Sequence, residues 1–264
     1  MDNARCAKTL PPVATTCRIK RIAALSTRTF QVDLCAPEGT VLDYQGGHYL
    51  QLELALKCNG PSQTFSYSIA NSVHPDHPHL LQIFIENRSV TADNILQRLS
   101  ERHQKNEGVN VTLPMGQAYL QTNLNLPHLL IAAGSGISKI KCIAESIMAK
   151  NPSADVNIYW SNRDQSDFYL LQEFESWATR YKHLRFTPIL ESSEKSWLGR
   201  SGYIYEVIET DFETLGGAQI YLCGSPQMVY GTIDKLEYKG LSEPDCYSDV
   251  FEYAPRDQQR AVCS

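Results

Sequence analysis

The sequence predicts an antiparallel β-barrel or sandwich followed by a parallel α/β domain. Short β-branched and aromatic runs recur at about ten-residue spacing through the first half. Beyond Pro127 strand-like and helix-like segments alternate, and two of those strands end in glycine turns that open a helix. With 264 residues the chain has room for one large domain or two of ordinary size.

In the first half the strands are R-I-K-R-I-A-A-L, T-F-Q-V-D-L, H-Y-L-Q-L-E-L, F-S-Y-S-I-A and L-L-Q-I-F-I. They are bounded by Pro37-Glu38-Gly39, Gly46-Gly47, Asn59-Gly60-Pro61 and a His-Pro loop, all turn chemistry that ends a strand. A helix over T-A-D-N-I-L-Q-R-L, with Thr91 as N-cap, interrupts them. The domain boundary falls near Asn123 to Pro127. Leu129 to Ala133 is then a continuous apolar run of the kind a doubly covered strand requires, and it stops at Gly134-Ser135-Gly136. A helix follows, with Ile140, Ile143, Ala144, Ile147 and Met148 on one face and Lys139 and Lys141 on a solvated one. The alternation continues through strand V-N-I-Y-W, a helix around F-Y-L-L-Q-E-F-E-S-W, strand L-R-F-T-P-I-L, a helix near Y-I-Y-E-V-I, strand Q-I-Y-L-C-G and a helix from Pro226. In that last helix Gly231-Thr232-Ile233-Asp234 reads as a solvated face. There are no internal repeats and no low-complexity tracts.

A hydrophobic content of 42% with 20% charged residues suits a soluble globular chain with a sizeable core. The net charge of −5 and the lack of any basic block argue against a nucleic-acid surface. The N-terminus has no apolar leader and no run approaches membrane-span length, so a cytoplasmic protein is expected. Cys6, Cys17, Cys35, Cys58, Cys142, Cys223, Cys246 and Cys263 form no C-x-x-C pair and are expected to be free thiols, most of them buried. His74, His77 and His79 sit in a proline loop without a carboxylate or thiol at ligand spacing, so no metal site is expected.

Gly134-Ser135-Gly136-Ile137 lies where a buried strand meets a helix N-terminus, an arrangement that offers backbone N–H groups and the positive end of the helix dipole to a phosphate. It lacks both the third glycine of G-x-G-x-x-G and the lysine of a P-loop, so alone it equally describes a tight turn. Cys223-Gly224-Ser225-Pro226-Gln227-Met228 repeats the design at a later strand end, with Pro226 suited to the first helical turn. Strand C-termini share one edge of a parallel sheet, which places both turns at one crevice. In the first domain T-F-S-Y-S-I-A-N alternates, with Phe65, Tyr67 and Ile69 on one face and Ser66, Ser68 and Ala70 on the other. Whether that ring and hydroxyl are packing or hold a flat, polar-edged ligand is left open by periodicity.

These blocks resemble the ferredoxin-NADP reductase superfamily, and within it bacterial NAD(P)H:flavin reductases. G-G-H-Y-L, Y-S-I-A, P-M-G-Q-A-Y-L, L-L-I-A-A-G-S-G-I, I-Y-W-S-N-R, W-L-G-R-S-G, I-Y-L-C-G-S-P-Q-M and S-D-V-F occur in family order between about Cys17 and Phe251. The resemblance implies an antiparallel Greek-key β-barrel over residues 15–122 and a parallel five-stranded α/β nucleotide-binding domain over 127–256, with a linker-like segment 1–14 and a tail 257–264. It implies that Tyr67 stacks on a flavin ring, that the Ser68 hydroxyl bonds near the reactive nitrogen, and that Ile69 and Gly116 border the same site. Gly134, Ser135, Gly136 and Ile137 would cradle dinucleotide phosphates and Arg163 would lie near the adenosine. Cys223, Gly224, Pro226 and Met228 would border the nicotinamide, with Asp249 and Phe251 near the ring's far side. Ser68 and Cys223 are the catalytic candidates.

The family arginine that bonds the flavin phosphate is replaced here by Phe65, with Arg88 in E-N-R-S-V-T as a substitute. The sequence therefore suggests an enzyme moving hydride from NADH or NADPH to FAD, FMN or riboflavin held mainly through the ring and released. A first alternative is an FAD-retaining reductase serving an iron-sulfur or oxygenase partner. A-K-T-L-P-P-V favours it, because it resembles the linker behind a [2Fe-2S] domain in reductases acting on CDP-deoxyhexoses, although the cluster cysteines are absent. A second alternative is a non-catalytic, flavin-deficient binding subunit. S-N-R-D, with Tyr169 nearby, does not separate NADH from NADPH.

Overall fold

The structure, a computed structural model, describes residues 10–57, 60–194 and 196–256. Cys6, Cys58, Cys263, Asn59, most of the linker-like segment and the tail lie outside the described residues.

Six antiparallel strands form the first layer: β1 (Val13–Ala24), β2 (Thr29–Cys35), β3 (Tyr49–Ala55), β4 (Ser62–Ser68), β5 (Leu80–Glu86) and β6 (Gly108–Met115). Their order is β4-β3-β6-β1-β2-β5. The sheet curls until its edges meet at an Ile69–Ile83 bridge and a hydrogen bond from Ala70 N to Gln82 O. Alternation fills the interior with Leu50, Leu52 and Leu54 of β3, Val32 and Leu34 of β2, and Val109, Val111 and Leu113 of β6. The sequence reading gave no element to 108–115, yet that alternation marks β6 as the central strand between β3 and β1. β1 begins at Val13, inside the segment expected to be a linker.

Helix α1 (Val90–Gln104) covers the barrel with Ile95, Leu96 and Leu99. Its N-cap is Ser89, not Thr91: Ser89 has extended φ and ψ, and its hydroxyl accepts from Ala92 N at 3.1 Å.

The second layer contains β7 (His128–Ala133), α2 (Ile137–Lys150), β8 (Val156–Asn162), α3 (Leu171–Arg180), β9 (Leu184–Leu190), β10 (Arg200–Ser201), α4 (Ile204–Asp211), β11 (Gln219–Cys223), α5 (Pro226–Leu236), β12 (Cys246–Tyr247) and α6 (Val250–Tyr253). The strands are all parallel, in the order β10-β9-β8-β7-β11-β12, so four long strands carry two-residue edges in place of an even set of five. Leu130, Ala132, Ile158 and Trp160 face α2 and α3, while Leu129, Ile131, Ile220 and Leu222 face α4 and α5. From β7 the chain winds one way through β8 and β9, and β11 lies on the other side of β7. The strand order therefore reverses where β7 and β11 end, the place at which such sheets bind ligands.

Helix α2 is covered on both sides. One face meets the sheet, and the other meets the barrel, where an added Cβ at Gly46 would sit 2.8 Å from Cys142 O. Lys139 is consequently buried, at 1% exposure, whereas Lys141, at 6%, is covered by Glu173 and Trp177 of α3; the expectation of a solvated face is corrected for both. Tertiary cover from a second domain is invisible to helical periodicity. In α5, Thr232 and Ile233 are likewise buried against the sheet, which corrects the solvated face expected over 231–234. Cross-domain bonds run from Ser72 N to Glu145 Oε2 at 2.7 Å and from Gln121 N to Tyr221 Oη at 2.9 Å. Among the described residues no helix is long and apolar enough to cross a membrane. None of the described cysteines is in a disulfide: Cys17, Cys142 and Cys246 are buried, and Cys35 and Cys223 partly so.

Candidate active site

Two clefts lie at the sheet's C-terminal edge. The larger, ≈ 670 Å³, is lined by Gly134 and Ser135, by Asn162 and Arg163 after β8, by Tyr203 and Tyr205 at α4, and by Ser225, Gln227 and Met228 at the start of α5. Two glycines shape the turns beneath it: a Cβ at Gly136 would overlap the backbone carbonyl oxygen of Cys223, so that turn requires glycine, while one at Gly224 would displace the end of the Met228 side chain and crowd Ala133. Gly134 takes a left-handed φ of 56° in a 3-10 turn, and the Trp160 indole fixes it by donating to Gly134 O at 2.9 Å. Ser225 caps α5, accepting from Met228 N at 3.2 Å, with Pro226 in the first turn. The α5 N-terminus thus opens onto the cleft and favours negative charge there.

Three side chains at this cleft were not singled out by sequence. The Tyr203 and Tyr205 rings stack at 5.5 Å and 7°, and Lys235 stands over Tyr205. Arg163, 86% exposed in its side chain, pairs with Glu191 at 3.1 Å. Arg88 reaches the cleft from the barrel, bonded to Glu86 and, at 2.9 Å, to Asp167. Tyr169 lies away from Arg163, buried against Trp160 and Phe84.

The smaller cleft, ≈ 310 Å³, is lined by Tyr49, Ser66 and Ser68 from the barrel and by Asp249, Glu252 and Tyr253 from the C-terminal helix. Register decides which side chains face it. Tyr49 pairs with Ser68 and Gln51 with Ser66, whereas Leu50 pairs with Tyr67 and Leu52 with Phe65. Directly opposed residues share a face. Tyr67 and Phe65 therefore lie on the core side and pack against the barrel interior, and burial pushes the Tyr67 hydroxyl up to about 12. The stacking role expected of Tyr67 is corrected by this placement: the barrel ring at the cleft is Tyr49. Gly116, at φ 89°, lies under that ring, where a Cβ would meet it at 2.8 Å and Asp249 at 3.3 Å. Burial raises the Tyr49 hydroxyl, with Glu252 and Asp249 adding to the effect. Ser68 and Asp249 line the cleft. Phe251 packs beside Tyr230 at 5.8 Å and against the α5 side of the core, so Tyr253 occupies the place expected of it. Ile69 and Ile137 are fully buried core residues that line neither cleft.

Beside Asp249 stand Lys139 and Cys223, which line neither cleft. Lys139 Nζ donates to Asp249 Oδ1 at 2.7 Å and to Ala118 O at 3.1 Å. Burial pushes the Cys223 thiol up to about 12, with the Lys139 charge working against that and Asp249 adding to it. Cys223 is therefore a neutral thiol near pH 7 and no thiolate nucleophile. Among the described residues no group of three or more His, Cys, Asp or Glu could hold a metal ion.

The arrangement suits two ligands. The larger cleft offers length, glycine turns and a helix N-terminus, as a dinucleotide requires. The smaller one has two phenol rings, two hydroxyls and two carboxylates, which fit a flat heterocycle with polar edges. It contains no cation that could hold a phosphate.

Residues 130–233 match the sequence family described as the oxidoreductase NAD-binding domain. The NAD(P)H-flavin reductase of Aliivibrio fischeri is 28% identical over 90% of this chain and 98% of its own. The CDP-6-deoxy-L-threo-D-glycero-4-hexulose-3-dehydrase reductase of Yersinia pestis is 25% identical over 89% of this chain and 68% of its own. A cytochrome P450 reductase of Amycolatopsis has the same fold, with a TM-score of 0.80 at 24% identity, covering 94% of this chain and 72% of that one. By sequence the chain is similar to these reductases, by fold it matches the cytochrome P450 reductase, and residues 130–233 match the oxidoreductase NAD-binding domain.

Proposed function

We propose that this chain is an NAD(P)H-dependent flavin reductase that grips its flavin through the ring and lets it go after reduction. One observation carries the reading: a cleft with the glycine turn and helix N-terminus of a dinucleotide site is accompanied by a ring-sized cleft lined by Asp249, whose partner Lys139 lies in the first turn of the helix that begins at that glycine turn. The flavin supplies the hydride-accepting nitrogen, and the nicotinamide supplies the hydride.

The residues bind, orient and exclude water. Tyr49 and Tyr253 flank the ring with apolar faces, while the Ser66 and Ser68 hydroxyls meet its polar edge and orient it for transfer. Gly134, Ser135 and the start of α5 hold the dinucleotide phosphates, and the Tyr203–Tyr205 stack offers a face to the adenine. Cys223, uncharged, borders the nicotinamide. No cation lines this cleft and Glu252 would repel a flavin phosphate, which supports release over retention of FAD or FMN. An iron-sulfur or oxygenase partner as eventual acceptor draws support from the dehydrase reductase of Yersinia pestis.

The test is oxidation of NADH and NADPH with riboflavin as acceptor. We expect turnover with added riboflavin, and Ser68→Ala to lower it about tenfold through loss of one oriented hydrogen bond. Unchanged turnover in Ser68→Ala contradicts the serine's role. No oxidation with riboflavin, FMN or FAD contradicts the enzyme and leaves a binding subunit.

A further inference from the structure

A buried lysine needs a reason. Lys139 is the third residue of α2, its side chain is 2% exposed, and removing such a charge from water is costly unless it is paired. Its two partners come from different parts of the chain. Asp249 Oδ1, at the start of the C-terminal helix, accepts at 2.7 Å; Ala118 O, in the segment after β6, accepts at 3.1 Å. Lys139 thus joins the barrel, the helix behind the dinucleotide turn and the C-terminal helix at one nitrogen. The carboxylate it holds is the same one that lines the smaller cleft. Glu252, Tyr49 and Tyr253 also face that cleft, and Cys223 and His48 lie within reach of the pair's charges. No cation lines the cleft itself; Lys139 stands behind Asp249.

We propose that Lys139 is a positioning residue for the flavin cleft, acting through Asp249: it fixes the carboxylate's rotamer and cancels its charge, so that the ring meets an oriented acceptor and no net negative wall. The inference rests on the flavin reading above. Two electrostatic effects support it. An unpaired Asp249 carboxylate, half-buried beside Glu252, would oppose an electron-rich ring, and reduction adds negative charge to that ring. A paired carboxylate presents its outer oxygen to a ring N–H at little electrostatic cost.

The experiment is a double-substitution cycle read by equilibrium riboflavin binding through fluorescence quenching, with NADH binding and thermal midpoint measured on the same samples. Lys139→Met should weaken riboflavin binding on the order of tenfold, because it leaves Asp249 unpaired, while NADH affinity stays within about twofold. Lys139→Arg, which keeps the charge, should recover part of the loss. Lys139→Met combined with Asp249→Asn should bind riboflavin as Asp249→Asn alone does, since the lysine has nothing left to position. If Lys139→Met is too unstable to study, the double variant, whose buried pair is replaced by neutral groups, carries the comparison with Asp249→Asn. Wild-type riboflavin affinity in Lys139→Met overturns the proposal, as do multiplicative effects of the two substitutions or equal losses for riboflavin and NADH. Absence of riboflavin binding by the wild-type protein overturns the flavin reading itself, and this inference with it.

Discussion

At the residue scale, the pairing of β3 with β4 decides which ring meets the ligand. Alternation correctly put Phe65 and Tyr67 together on one strand face, but it could not say which face is the core. That choice is made by Leu50 and Leu52 on the neighbouring strand. The resemblance pointed to Tyr67, and ladder geometry points to Tyr49, which the sequence offered only inside H-Y-L-Q-L-E-L and G-G-H-Y-L. Tyr49→Leu should therefore weaken riboflavin binding about tenfold by removing a stacking face. Tyr67→Phe should leave it within about twofold, because that hydroxyl has no partner at the cleft; fluorescence quenching checks both. Equal losses in the two variants would place the ligand on Tyr67 instead. Gly134 and Gly136 were legible because a strand-to-helix turn constrains residue type locally, whereas Ser68 and Asp249 were reached only through the resemblance. Tyr203, Tyr205 and Lys139 were not, because their roles arise from segments far apart in sequence.

Among the elements, the turn that leads into β3 contains a histidine with a measurable consequence. His48 is 4% exposed, its Nδ1 accepts from Gln45 N at 2.9 Å, and its ring lies 4.5 Å from that of Tyr119. Burial, and then the Lys139 charge, push it down to about 4, partly offset by the Gln45 contact. The unfolded chain binds this proton near 6.5, so as pH falls it takes up the proton before the folded protein does. His48's contribution is intact above about 6.5 and is lost between about 6.5 and about 4, amounting to roughly 3 kcal/mol. The thermal midpoint should drop across that window, and His48→Asn, which keeps an acceptor for Gln45, should flatten the drop. Parallel profiles for the two proteins would contradict this. Elements whose burial is one-sided, such as β2 and β3, were readable from their alternation. β6 also alternates and was passed over, and α2 misled because its second face is covered by another domain. The α1 cap moved from Thr91 to Ser89 because either hydroxyl could serve by type, and only backbone geometry distinguishes them.

On the scale of the whole molecule, the order of domains and the position of both glycine turns were readable, since strand–helix alternation and strand C-termini fix them. The contact between domains was not. Helix α2 is wedged between the barrel and the parallel sheet, and this wedge brings Lys139 to Asp249, which lines the smaller cleft. The central claim is that the protein grips a flavin by its ring, with no cation for its phosphate. A cation holding that phosphate would contribute about 1.5–3 kcal/mol, on the order of ten- to a hundredfold in affinity. The most direct measurement is an absorption spectrum of the purified protein followed by parallel titrations with riboflavin, FMN and FAD. The account predicts a colourless protein that binds riboflavin at least as tightly as FMN or FAD; a protein that purifies yellow with FAD, or that binds FMN about a hundredfold more tightly than riboflavin, would contradict it.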